Sequence, residues 1–137
     1  MRCAGLVMAA LLAAQAAAVA QPRKTLDIYF IDVEGGQSTL IVTPAGESLL
    51  VDTGWETADA RDAKRFMAAV RSAGISQIDY LMIAHLHADH DGGVPALAKL
   101  IPITTFIDYG GPPTEKGGKL VELFDAYARV RRKGAQH

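Results

Sequence analysis

IAHLHADHDGG, residues 83–93, sets three histidines and two aspartates between an apolar run and a pair of glycines. The chain has four histidines in 137 residues, and three of them fall between positions 85 and 90. Such a cluster is poor material for a hydrophobic core, because each of these groups must be solvated or paired when buried. His85 and His87 stand two apart at the end of a strand, so both rings can project to the same side. Asp89 and His90 follow once the chain has begun to turn, which aims them at a neighbouring point. Imidazole nitrogen and carboxylate oxygen bind zinc at ~2.0–2.2 Å, and two ions ~3.5–4 Å apart form a recurrent hydrolytic arrangement. The spacing therefore predicts a metal-binding loop, with Gly92 and Gly93 letting the backbone pass close to it and open a helix.

The flanking patterns place that loop. Ile78 to Ala84 runs apolar into His85 as a strand, and the helix opened by the glycine pair stops near Pro102. Upstream, residues 26–33, 38–43 and 48–54 are short β-branched or alternating segments separated by turn residues, which predicts a meander of three strands. Between the meander and the histidine strand, Ala63, Phe66, Met67 and Val70 recur at helical spacing, with Asp59 as the expected cap and Gly74 as the stop. Residues 103–110 predict a further strand. After a Gly/Pro-rich turn comes a third helix, with Leu120, Leu123, Phe124 and Tyr127 on one face. Its end carries Arg129, Arg131, Arg132 and Lys133, which suits the helix dipole and reads as a solvated terminus. Trp55 is expected to pack rather than to line a pocket.

Length and composition describe one domain with half of its residues apolar, enough to bury a core. The first twenty residues are set apart: Arg2 precedes an apolar stretch, and Ala18-Val19-Ala20 has the form of a signal-peptidase site. Cleavage after Ala20 leaves residues 21–137 as the mature unit, periplasmic or secreted, with no membrane span. Removal of Arg2 leaves 13 basic against 15 acidic side chains, a balance with no electrostatic footprint for nucleic acid. Cys3 is the single cysteine and departs with the leader, so metal ligation falls to histidine and carboxylate.

The motif His85-x-His87-x-Asp89-His90 followed by Gly92-Gly93 resembles the signature loop of the metallo-β-lactamase fold superfamily. FIDVEGGQSTLIVTPAGESLLVDTG, residues 30–54, is similar to its N-terminal strands, most of all in the branch that includes the extracellular domain of DNA-uptake channel proteins. The resemblance covers residues 26 to about 110. It implies an α+β fold, an αβ/βα four-layer sandwich of which this chain holds the first αβ half. It also implies two zinc ions, the first on His85 and His87 and the second on Asp89 and His90. The resemblance implies Asp52 beside the ligands, whereas its place after a strand reads as a turn aspartate, and the two readings stand level. Two departures from the family pattern are Ala84, where serine or threonine is common, and Glu34-Gly35-Gly36-Gln37 in place of Gly-Gln-Gly-Asp.

The family supplies further ligands from its later half, whereas here only His137 follows His90, and a terminal histidine is expected to stay in solvent. The chain therefore reads as the N-terminal half of a longer product, with one apolar sheet face left uncovered. The expected function is that of an exported zinc hydrolase acting on a small-molecule, ester or phosphodiester substrate, with Asp89 as ligand and catalytic residue. The competing reading is a non-catalytic metal-binding or DNA-uptake accessory domain of the same fold.

Overall fold

The computed structural model describes residues 25–108, 110–111 and 118–133. The proposed leader with Cys3, most of the Gly/Pro-rich turn, and His137 lie outside these residues.

Five strands form one mixed sheet in chain order: β1 (Asp27–Phe30), β2 (Thr39–Val42), β3 (Ser48–Val51), β4 (Ile78–Met82) and β5 (Ile103–Ile107). The first three pair antiparallel, as short turns allow. The pairs β3–β4 and β4–β5 are parallel, each needing a crossover. Helix α1 (Arg61–Ala73) supplies the first crossover, α2 (Val94–Leu97) lies in the second, and α3 (Lys119–Lys133) follows β5.

The register explains which face is covered. Tyr29, Leu40, Leu50, Leu81 and Phe106 are successive cross-strand partners and form one row across the sheet. Phe66 and Val70 of α1, Leu97 of α2 and Tyr127 of α3 join the same core, each side chain of this size gaining ~1.5–3 kcal/mol on full burial. Because side chains alternate, the neighbouring rows point the other way. They run Ile28–Ile41–Leu49–Tyr80–Thr105 and Phe30–Thr39–Val51–Met82–Ile107. On this second face Phe30 is 85% exposed, with Ile28, Tyr80 and Ile107 also open to solvent. Among the described residues this face thus presents apolar side chains to solvent.

Differences from the sequence reading have local causes. Strand β3 ends at Val51 because Asp52 takes a left-handed φ of 59°, which turns the chain out of the sheet. The cap of α1 is not Asp59 alone: Thr57 Oγ1 accepts the Arg61 N–H at 2.8 Å and Asp59 Oδ1 accepts it at 3.3 Å. Ala60, at the cap position itself, is left-handed and makes no side-chain cap. Gly74 ends α1 as expected, at φ 64°. Helix α2 is a single turn rather than a helix reaching Pro102. Bonds from Leu100 N–H and Ile101 N–H to Leu97 O, at 2.8 and 3.2 Å, follow it, and the Ile101 side chain is buried in the core before Pro102.

Candidate metal centre

The 84–93 loop leaves the C-terminal end of β4, where the parallel half of the sheet opens. Ligand sites in parallel α/β arrangements form at such strand ends. Leu86, buried between two histidines, anchors the loop in the core and turns its neighbours outward. Backbone bonds then wind the chain: His90 N–H donates to His87 O at 2.8 Å and Asp91 N–H to the same oxygen at 3.0 Å.

The segment after β3 holds this winding in place. Thr53 donates to His90 O twice, from its N–H at 2.7 Å and its hydroxyl at 2.9 Å. Gly93 N–H donates to Gly54 O at 3.0 Å. Such contact requires the glycine pair: a Cβ on Gly93 would lie 2.3 Å from Thr53 O, and one on Gly92 would lie 2.3 Å from Ala88 O. From the third side, Gln37 N–H donates to Asp89 O at 3.1 Å.

His85, Asp89 and His90 are brought together, with one potential ligand atom from each lying within 4.8 Å of the others. His90 Nε2 is 3.5 Å from Asp89 Oδ2, close to the ~3.4 Å that separates two ligands of a tetrahedral ion with bonds of 2.0–2.2 Å. His87 is not in this group. Its ring lies 4.7 Å from that of His85, centroid to centroid, and it is exposed. The His85 ring lies nearer to His90, at 3.8 Å.

Asp52 stands directly behind His90. It is wholly buried, its Oδ1 accepts the Ala84 N–H at 2.8 Å, and its Oδ2 lies 2.7 Å from His90 Nδ1. An ionised carboxylate can only accept, so Nδ1 carries the proton toward Asp52, and in a neutral ring that leaves the Nε2 lone pair for a cation. Asp52 therefore both contacts His90 and sits at the turn that ends β3, its left-handed φ aiming the carboxylate.

Other features were not legible in the sequence. Asp91 is 2% exposed, and its Oδ1 has no hydrogen-bond partner. Burial pushes its carboxyl up to about 6, against the opposing pull of His87 and His90. Two imidazole rings and a carboxylate, those of His85, His90 and Asp89, form a donor set that suits a divalent cation. Glu34 forms ion pairs with Arg61 at 2.5 Å and Arg65 at 2.8 Å, fastening the Gly35-Gly36 loop to α1. The i, i+4 spacing of the two arginines was the available signal, but only the fold brings Glu34 to them. Trp55 departs from expectation: it is 37% exposed and its indole Nε1 sits beside Gly36 rather than in the core.

A family model of the metallo-beta-lactamase superfamily matches residues 31–128. A metal-dependent hydrolase of Cupriavidus necator is 33% identical over 66 residues, 48% of this chain and 22% of that protein. An atrochrysone carboxyl ACP thioesterase of Cryptosporiopsis sp. is 34% identical over 67 residues, 49% of this chain and 20% of the relative. The chain thus spans about a fifth of the length of these curated relatives. Among solved structures, a subclass B3 metallo-beta-lactamase isolated from a soil metagenome library aligns with a TM-score of 0.50 at 24% identity. That alignment covers 67% of this chain and 34% of the enzyme, and it shows a shared fold.

Proposed function

This chain belongs to the metallo-beta-lactamase superfamily, and from that premise we propose that it is part of an exported zinc-dependent hydrolase that directs water onto a carbonyl or phosphoryl centre. The observation that carries the proposal is the convergence of His85, Asp89 and His90 on one point, with His90 oriented by the buried Asp52. His85, Asp89 and His90 would hold an ion, and His87, beside His85, is the ligand toward a second. What zinc bound there would supply is Lewis-acid polarisation and activation of water near neutral pH.

The chain's own residues do the rest. Asp52 fixes the tautomer of His90, and the Thr53 and Gln37 bonds hold the carbonyls of His90 and Asp89, so the ligand side chains are ordered before any ion arrives. Asp89, half-buried, is assigned both as ligand and as acceptor of a water proton, which orients the attacking oxygen. Fold alone does not choose among ester, thioester, lactam and phosphodiester substrates. The names of the relatives, a metal-dependent hydrolase and a carrier-protein thioesterase, support hydrolysis and place a thioester on the panel.

The test is metal analysis and a substrate panel of those four classes on the full gene product. Hydrolysis of at least one class, lost on chelation and restored by zinc, is the expected result. Metal retention without hydrolysis of any class would favour the accessory-domain reading, and absence of metal would overturn both.

A further inference from the structure

On the helical side of the sheet, away from the histidine loop, α2, β5 and the second half of α3 enclose an open groove of about 610 Å³. None of its lining residues belongs to the 84–93 loop. Pro95, Ile103, Phe106 and Val130 give it an apolar floor, and Lys99, Arg129 and Lys133 stand around it. Among the described residues the lining contains no carboxylate.

These three cations are placed unlike most others among the described residues. Arg61, Arg65, Lys119 and Arg131 each form an ion pair with an acidic side chain. Among the described residues Lys99, Arg129 and Lys133 have no such partner, and all three are exposed. Arg129 and Lys133 are four apart on α3, a spacing at which like charges repel, and Lys99 adds a third charge from the α2 side. An apolar floor ringed by unpaired cations complements one chemistry: an alkyl chain ending in an anionic head. The size lies within the range of small-molecule sites, ~300–1,000 Å³.

We propose that this groove binds a free fatty acid, its chain along Ile103, Phe106 and Val130 and its carboxylate among Lys99, Arg129 and Lys133. The long basic stems flank the alkyl chain while their charged ends meet the head. The site is independent of the metal centre, so neither reading depends on the other.

Titration of the full gene product with dodecanoate below its micellar concentration, followed by calorimetry and amide chemical shifts, tests the proposal. Saturable one-to-one binding is expected, with shifts clustered at Lys99, Ile103 and Val130. Dodecanol and acetate, each lacking one half of the ligand, should bind at least about tenfold more weakly. The double variant Lys99→Glu/Arg129→Glu changes exposed side chains only and should weaken dodecanoate by about tenfold or more. Ala126→Trp should fill the groove and abolish binding. Phe30→Ser, on the exposed sheet face, should leave binding unchanged. Failure of the wild-type chain to bind dodecanoate, wild-type affinity in the double variant, or loss of binding in Phe30→Ser would overturn the assignment. So would association with anionic phospholipid vesicles in the absence of soluble dodecanoate binding.

Discussion

Asp52 Oδ2 lies 2.7 Å from His90 Nδ1, and the aspartate that makes this contact is wholly buried at the point where β3 leaves the sheet. One residue with a left-handed backbone therefore ends a strand, receives the Ala84 N–H and orients a ligand ring. Replacement by asparagine should lower zinc affinity about 10- to 100-fold, the usual cost of removing a carboxylate behind a ligating histidine. Competition against a chelating dye measures it. Unchanged affinity would show that His90 is oriented by something else.

His87→Ala should reduce bound metal and abolish hydrolysis in the full gene product while the fold survives, because an exposed loop side chain carries little of the core. His137→Ala should do neither. Metal content, activity and circular dichroism on both variants decide the matter, and a fully active His87 variant would remove it from the site.

Gly93→Ala should cost on the order of 1–3 kcal/mol in urea denaturation, since the added methyl meets backbone rather than a movable side chain. The Thr53 carbonyl 2.3 Å from the new Cβ must yield, and the ligand loop moves with it. Wild-type stability together with wild-type metal affinity would contradict this close packing.

The Asp108 cluster predicts a pH dependence. Burial acts to raise its carboxyl, but hydrogen bonds from Tyr127 and Arg131 outweigh it and hold the group below the ordinary carboxylate range. A carboxylate depressed by folding contributes stability that is complete above its unfolded value, ~3.9, and is lost as pH falls toward its folded value. Asp108→Asn should therefore be less stable than the wild-type chain at neutral pH, with the gap narrowing below pH ~4. Thermal melts from pH 7 down to 3 would show it, and a gap independent of pH would exclude the ionic contribution.

The leader reading predicts that the exported protein begins at or near Gln21, which mass analysis of the expressed product checks. Retention of Arg2 in a membrane fraction would instead identify an anchor.

Much of this architecture was written in local pattern. Short β-branched or apolar runs marked the strands, and period-3.6 spacing set Phe66 and Val70 on one face of α1; both are properties of neighbours in sequence. The histidine motif was legible for the same reason, its donors lying within six residues. Tertiary structure alone decided which donors meet. It grouped His85 with Asp89 and His90, left His87 to the side, and set Asp52 behind His90 across 38 positions of chain. It also joined Glu34 to Arg61 and Arg65, stranded the buried Asp91 oxygen and gathered Lys99 with Arg129 and Lys133. Residue type fixes what a side chain can bind and periodicity fixes the side on which it emerges. Distances between remote residues depend on how strands pair and helices cross, and those depend on burial summed over the whole chain.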